Sequence, residues 1–161
     1  MKKQVTIERP NVDSVERALA QVGDAWTFLI LREAYFGVRR FDGFQRRLTA
    51  APTVLTERLK RLVANDLMAR VAYSERPPRF EYRLTEKGRD LYPVIVLLMR
   101  WGDRWLDEGA GPPLELIHLT CGEVTRPTLD CDRCGRPIEA RGIDWRLGAG
   151  AGAVRRDPPE K

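Results

Sequence analysis

The sequence predicts a mostly α-helical fold that contains one short β-hairpin and continues into a small cysteine-rich C-terminal element. Three observations support this prediction. Apolar residues recur at helical spacing through most of residues 13–108, two short alternating runs flank a pair of prolines, and all three cysteines follow residue 113. With 161 residues, 43% of them hydrophobic, the chain is long enough for one packed domain and an appendage.

The charge distribution and the longest apolar run limit the partners to consider. VIVLLM at 94–99 is far shorter than the ~20 residues of a bilayer span, and MKKQVTIERP lacks the apolar segment of a signal peptide. We therefore expect a cytoplasmic protein with no membrane partner. The net charge of +5 belongs to residues 1–108, since the charges of residues 109–161 cancel. A basic excess favours a polyanion as partner, although charge alone fits an ordinary solvated surface equally well.

The first predicted helices lie in residues 13–48. WTFLILREAYF at 26–36 is apolar on most sides, as a central core helix would be, and Gly37 ends it. A short amphipathic helix is predicted at 41–48. The helices on either side of the core segment each carry an apolar stripe at helical spacing: Val15, Leu19 and Val22 on the first, and Phe41, Phe44 and Leu48 on the second.

A second amphipathic helix is predicted at 52–65, after a turn of about three residues. Pro52 suits its first position, where a missing N–H costs nothing, and Leu55, Leu59 and Leu62 form its apolar stripe. Two such helices in succession are typical of a helix-turn-helix, whose second helix can enter the major groove of DNA. Unless they simply face solvent, four outward side chains are candidates for base contacts: Thr53, Thr56, Glu57 and Lys60.

The segment YSERPPRFEYRLTEKG predicts a β-hairpin whose tip is residues 74–79. Every second residue is apolar in the runs 69–73 and 80–84, so both are expected to be strands with one buried face, formed by Ala69, Val71 and Tyr73 in the first and by Phe80, Tyr82 and Leu84 in the second. Two prolines stiffen the tip and two arginines make it positive. A basic hairpin directly after a helix-turn-helix is the wing of a winged-helix domain. Three arginines are candidates for contacts to phosphate or the minor groove: Arg40, Arg76 and Arg79.

A longer helix is predicted over 85–108, with Thr85 as its N-cap. The apolar surface of this helix is broader than one small domain can cover, which favours a homodimer. The alternative is that the helix is buried on both sides within a monomer. Two neighbouring stripes form this surface: Leu91, Ile95, Leu98 and Trp105 on one, and Val94, Leu97 and Trp101 on the other.

These elements and their motifs resemble the HxlR family of bacterial winged-helix transcriptional regulators. The resemblance extends over about residues 13–106 and rests on W-T-x-x-I-L-R, R-R-F and E-Y-x-L-T-E-K-G. It implies a homodimer that binds a pseudo-palindromic operator near a promoter, usually as a repressor and sometimes as an activator. It also implies that the dimer forms through the first helix and the helix at 85–108. The alternative function is a winged-helix module that binds proteins without specific DNA binding.

Two positions depart from the family pattern. Much of the family has a cysteine just before the V-x-R-A-L of the first helix, and its oxidation is the signal in some members. This chain has Asp13 there, which excludes a thiol switch at that position. In many members the second helix of the helix-turn-helix, the recognition helix, begins with a basic or amide pair. This chain has Pro52 and Thr53 there, so the bases that it prefers are expected to differ from those of its relatives.

Residues 114–146 hold every cysteine and the single histidine. HLTCG and CDRCG repeat one pattern, a ligand, two residues, a cysteine and a glycine, and each resembles half of a zinc knuckle. The segment has too few apolar residues to fold unaided, a deficit that a metal would offset. The alternatives are three free or redox-active thiols, or no shared site. The prediction is one structural zinc ion with four ligands: His118, Cys121, Cys131 and Cys134.

Composition predicts the remaining segments as an N-terminal arm at 1–12, a linker, GAGPP, at 109–113 and a disordered tail at 147–161. We expect no enzyme activity. The sequence has no phosphate-binding loop and no G-x-G-x-x-G motif. A zinc deaminase needs a glutamate two residues after its histidine, where this chain has Thr120. Nothing in the sequence identifies a small-molecule effector.

Overall fold

The structure is a computed structural model that describes residues 14–144, so the predicted arm at 1–12 and tail at 147–161 lie outside the described residues. The helices are α1 (Ser14–Val22), α2 (Ala25–Tyr35), α3 (Phe41–Arg47), α4 (Pro52–Ala64), α5 (Glu86–Arg89) and α6 (Tyr92–Trp105). The strands are β1 (Met68–Glu75), β2 (Pro78–Leu84), β3 (Leu116–His118) and β4 (Glu123–Thr125). In this described part, no helix is long and apolar enough to cross a membrane.

The predicted core helix is α2, and Asp24 determines where it begins. The Asp24 carboxylate accepts hydrogen bonds from the Thr27 backbone N–H at 3.0 Å and from the Thr27 hydroxyl at 2.6 Å. An N-cap of this kind satisfies an N–H group that has no partner within the helix. Ile30 and Leu31 on α2 are completely buried. The apolar pattern thus located the helix, whereas the cap was not predicted.

One apolar core joins α2, α3, α4 and the base of the first hairpin. Phe44 from α3 and Leu59 from α4 are completely buried, as their predicted apolar stripes require. Val22 is the buried residue of α1, while Val15 and Leu19 of the same predicted stripe are exposed. The buried members of the core are Val22, Ile30, Leu31, Phe44, Leu48, Ala50, Leu55, Leu59, Leu62, Leu67, Met68 and Ile95.

The prediction of one helix over 85–108 is wrong, because α5 and α6 occupy this segment as separate helices. Thr85 is an N-cap as predicted, but of α5: its hydroxyl accepts a hydrogen bond from the Gly88 N–H at 3.0 Å. Pro93 lies in the first turn of α6. A proline there has no N–H to donate, and its ring collides with the carbonyl four residues earlier, so α5 cannot continue through it.

At Gly88, the backbone of α5 lies close to the backbone of Leu67. A Cβ atom at this position would stand 2.1 Å from the Leu67 carbonyl oxygen. The Tyr35 hydroxyl donates a hydrogen bond to the Gly88 carbonyl. Burial, and secondarily the Asp90 charge, raises the pKa of Tyr35 to about 12, which keeps this donor protonated. The close backbone approach therefore requires glycine at position 88.

Gly88→Ala is expected to lower the free energy of unfolding by roughly 1–3 kcal/mol, because backbone atoms must move to admit the methyl group. Gly43→Ala is the control. The nearest atom to its added Cβ is the end of the Val38 side chain at 3.1 Å, which can rotate away. Chemical denaturation of both variants measures the difference. Equal stabilities for the two variants would contradict the close approach of α5 to Leu67.

The first hairpin is longer and its tip is shorter than predicted. β1 and β2 pair in antiparallel register from Met68–Leu84 to Glu75–Pro78, with one register shift between Ala72 and Ser74. The turn therefore consists of two residues, Arg76 and Pro77, instead of residues 74–79. Only the base of the hairpin contacts the core, so most of both strands projects into solvent.

The prediction of a buried face on β1 is also wrong, because most of the hairpin projects away from the core. Ala69 and Tyr73 are exposed, and Val71 is half-buried. In β2 the most buried side chain is Glu81, which pairs with Arg83, while the predicted apolar residues Phe80, Tyr82 and Leu84 are half-buried. The alternation correctly predicted two strands, but a hairpin that extends from a small body has little core to bury against.

Candidate nucleic-acid interface and cysteine-rich element

α3 and α4 form the predicted helix-turn-helix. α4 begins at Pro52, as predicted, and ends at Ala64, one residue before the predicted end. Leu55, Leu59 and Leu62 are at most 1% exposed. Because this stripe is buried against the core, the rotation of α4 about its axis is determined, and the opposite face of the helix points to solvent.

The four predicted base-contacting residues lie together on that outer face. Thr53, Thr56, Glu57 and Lys60 are all exposed, and with Pro52 they line one shallow depression. The Thr56 hydroxyl donates a hydrogen bond to the Pro52 carbonyl at 2.8 Å, so its donor is already used. Within residues 14–144, the polar groups of the other three side chains make no hydrogen bond or ion pair. These three side chains are therefore available to a ligand.

The rear of α4 is held by contacts to α1 and to the N-cap residue of α2. Arg58 Nε lies 3.3 Å from Asp24 Oδ1, and Arg61 donates a hydrogen bond to the Ala20 carbonyl at 2.6 Å. The Arg58 N–H is buried without a well-aligned acceptor, so the Asp24 contact is a charge interaction and not a hydrogen bond. These two basic groups position the helix and do not contribute to its exposed face.

Arg40 and the first hairpin form a second basic surface, next to the start of α3. The Arg40 guanidinium stacks over the Tyr73 ring at 4.4 Å from its centroid, and Arg70 stacks over Phe80 at 3.5 Å. A stacked guanidinium keeps its edge N–H groups free for a phosphate. The Tyr82 N–H also donates to the Arg39 carbonyl at 2.7 Å, which ties β2 to the segment before α3.

Arg76 and Arg79 lie at the free end of the hairpin. Both are exposed, and within the described residues neither side chain has a hydrogen-bond or ion-pair partner. The structure thus places all three predicted phosphate-contacting arginines, Arg40, Arg76 and Arg79, on the hairpin or beside its strands. The stacking of Arg40 on Tyr73 was not predicted, since it depends on which face of β1 turns toward the start of α3.

Several other basic residues in this region already have acidic partners. Buried Glu33 pairs with Arg32 at 2.8 Å and with Arg47 at 3.3 Å, and Asp42 pairs with Arg46 at 2.7 Å. The Arg46 hydrogen bond lowers the pKa of Asp42. The basic surface available to a polyanion is therefore smaller than the number of arginines in the sequence suggests.

α1 and α6 each carry exposed apolar side chains, and we call this set of side chains the α1/α6 apolar face. Of the two predicted stripes, Ile95 is buried, and Leu91 and Leu97 are half-buried. The other members of these α6 stripes are 48–62% exposed, and Val15 and Leu19 of the α1 stripe are 64% and 52% exposed. The α1/α6 apolar face consists of Val15, Leu19, Val94, Leu98, Trp101 and Trp105.

The C-terminal element brings the predicted metal ligands together as two pairs. In the first pair, His118 Nδ1 lies 3.4 Å from Cys121 Sγ. In the second, hydrogen bonds to the Cys131 sulfur, first from the Arg133 backbone N–H and then from the backbone and side chain of Cys134, lower the pKa of Cys131. All three cysteines are free thiols.

The two pairs are not combined into one site. In the described part of the chain, no three His, Cys, Asp or Glu side chains are grouped so that they could hold a metal ion. Each pair occupies its own turn: one joins β3 to β4, and the other lies between the bridged residues Asp130 and Pro137. The structure therefore supports the two half-patterns, whereas the predicted set of four ligands remains a prediction.

Comparison with known proteins shows which family the chain resembles. The HxlR-like helix-turn-helix family model matches residues 21–110. An uncharacterized HTH-type transcriptional regulator of Mycobacterium tuberculosis, Rv3095, is 52% identical over 138 residues, which cover 86% of this chain and 87% of that protein.

Two solved structures also resemble the chain beyond the winged helix. PA1607, described as a candidate transcription factor, is 31% identical with a TM-score of 0.77, over 87% of this chain and 98% of that one. PA1374 of Pseudomonas aeruginosa, described in the same way, is 36% identical with a TM-score of 0.62, over 85% of this chain and 93% of that one. With the α3–α4 pair and the basic hairpin, these matches lead to one conclusion: the chain belongs to the HxlR-like helix-turn-helix family of transcriptional regulators.

Proposed function

We propose that the protein is a homodimeric, sequence-specific DNA-binding regulator that represses transcription from a pseudo-palindromic operator. The observation that carries this proposal is the outer face of α4, where Thr53, Glu57 and Lys60 are exposed and, within the described residues, unpaired, while the opposite face is buried. A helix in this state can enter a major groove without losing any internal contact.

The proposed contacts divide between base edges and the DNA backbone. On α4, Lys60 would donate to guanine, Glu57 would accept from cytosine, and the Thr53 hydroxyl could contact either base type. Thr56 would present its methyl group to thymine, since its hydroxyl donates to Pro52. The arginines of the hairpin and Arg40 would bind phosphates, which supplies affinity and salt dependence but little sequence information.

The α1/α6 apolar face supports the homodimer. Trp101 is 54% exposed and Trp105 is 62% exposed, although tryptophan side chains bury on the order of 150–250 Å² when covered. Exposed apolar patches of this kind mark interaction sites. A two-fold dimer through this face would present two copies of α4, and hence would bind two half-sites about one helical turn of DNA apart.

Binding to DNA from the promoter region of the protein's own gene is the direct test. We expect a discrete gel shift that survives an excess of random DNA and is competed by the unlabelled promoter fragment. Footprinting should reveal two inverted half-sites. The alternative, a winged-helix module that binds proteins, is favoured if promoter and random DNA compete equally well.

Thr56→Ala is expected to change sequence preference more than overall affinity, because it removes one methyl contact without changing charge. Discrimination at one base pair should fall by about 1 kcal/mol, near the lower end for a base contact. Binding-site selection on the variant and the wild type measures this change. Thr120→Ala, in the C-terminal element, is the control. Identical selected motifs for Thr56→Ala and the wild type would remove Thr56 from the base-contacting set.

A further inference from the structure

The C-terminal element lacks an apolar core of its own. No residue between 109 and 144 is buried, and the buried core ends in α6. Leu119 is 94% exposed, Ile117 is 60% exposed and Ile143 is 58% exposed. Within one protomer, burial of apolar surface therefore contributes little to the fold of this element, and a further interaction is needed to stabilise it.

The element also packs loosely on the helical body. A cleft of about 380 Å³ separates α6 from β3 and β4, with Met99, Leu116 and Val124 among its lining residues. One hydrogen bond crosses nearby, from Arg100 to the Pro127 carbonyl at 2.9 Å. Contacts with the winged-helix body therefore stabilise the element little. We look for the stabilising interaction among the side chains of the element itself.

Its two turns have the same backbone construction. The Gly122 N–H donates to the His118 carbonyl, and the Gly135 N–H donates to the Cys131 carbonyl, both at 2.8 Å. Both glycines have a positive φ, 75° and 68°, which side chains with a Cβ rarely adopt. Each turn closes one residue after its second ligand and so places both ligand side chains next to each other.

The spacing within the first turn fits a shared zinc ion. Zn–S distances of about 2.3 Å and Zn–N distances of about 2.0–2.1 Å at a tetrahedral angle put sulfur and nitrogen roughly 3.5 Å apart. The observed distance from His118 Nδ1 to Cys121 Sγ is 3.4 Å. This half of the site is therefore already arranged for an ion. In the second turn, the side chains of Cys131 and Cys134 are close enough to interact.

We propose that the two turns are the halves of one zinc site and that Zn²⁺ draws them together, with His118, Cys121, Cys131 and Cys134 as its four ligands. Of the nine residues between Cys121 and Cys131, 126–129 lie outside β4 and the Asp130–Pro137 bridge, and this segment would bend to let the turns approach each other. A closed Cys₃His set is a structural zinc site, and in such sites the metal replaces the core that a short segment lacks.

The test measures metal in the full-length chain, purified under reducing conditions without a metal-binding tag. We expect about one zinc ion per chain, and a Co²⁺-substituted form with the visible absorption of tetrahedral thiolate coordination. Cys131→Ser and Cys134→Ser should each lose most of the zinc, and His118→Ala should bind it more weakly. Thr120→Ala, an exposed change within the first turn, should keep it.

Three results would overturn the proposal. The first is a wild-type chain that is folded but free of zinc, with three thiols that all react with a thiol reagent. The second is a protein, purified under reducing conditions, whose mass is lower by two hydrogen atoms because Cys131 and Cys134 form a disulfide. The third is half an ion per chain, which would place the metal between two protomers. Circular dichroism on each variant reports whether the winged-helix body remains folded.

Discussion

A chain with Leu98→Glu and Trp101→Glu is expected to be monomeric and to bind the operator at least ~100-fold more weakly than the wild type. Both side chains belong to the α1/α6 apolar face and are 52% and 54% exposed, so the substitutions should not disturb the core. In a two-fold dimer each charge would be buried opposite apolar side chains, which is costly. A monomer can contact only one half-site, and its affinity should approach that for random DNA.

Sedimentation and DNA titration, performed on the same preparations, measure the two effects together. Leu119→Glu is the matched control, because it adds a charge at an apolar side chain that is 94% exposed and lies outside the α1/α6 apolar face. A double variant that remains dimeric would place the interface elsewhere. A double variant that is monomeric but keeps full operator affinity would contradict the two-half-site arrangement.

Replacing Arg76 and Arg79 by alanine is expected to weaken binding to operator and random DNA alike. Both side chains are exposed and, in residues 14–144, unpaired at the end of the hairpin. We expect them to contact phosphates, which carry little sequence information. Each lost phosphate contact lowers the slope of log affinity against log salt by about 0.9, so the double variant should lose roughly 2 from the slope.

Titrations at several salt concentrations give this slope. Arg136→Ala with Arg141→Ala is the control, because it removes the same charge from the C-terminal element. If the two double variants lower the slope equally, the change results from the lower net charge of the protein and not from loss of hairpin contacts. An unchanged slope in the Arg76 and Arg79 variant would remove the hairpin from the DNA interface.

Patterns over a few neighbouring residues predicted the elements well. The leucine stripe of α4 and Pro52 located that helix to within one residue of its observed end, because amphipathic spacing and a helix start are local properties. The motifs around α2 and β2 are equally local, and the family that they indicate is confirmed by the match to the family model.

Predictions that depended on packing failed at identifiable places. The helix over 85–108 is interrupted because Pro93 ends the hydrogen-bonding pattern, an effect that the broad apolar stripe concealed. The predicted faces of the hairpin were wrong because alternation shows that one face differs from the other, but not that a core is present to cover it. The stacking of Arg40 on Tyr73 joins residues far apart in the sequence.

The sequence by itself determined the winged helix-turn-helix, its family and the outward residues of α4, since these follow from local periodicity, turn residues and short motifs. Only the tertiary structure decided which charges are free. It pairs Arg32 and Arg47 with Glu33 and leaves Arg76 and Arg79 exposed. It also divides the cysteine pattern into two turns. Charge pairing and ligand grouping depend on distances between segments that folding brings together, and spacing along the chain does not contain those distances.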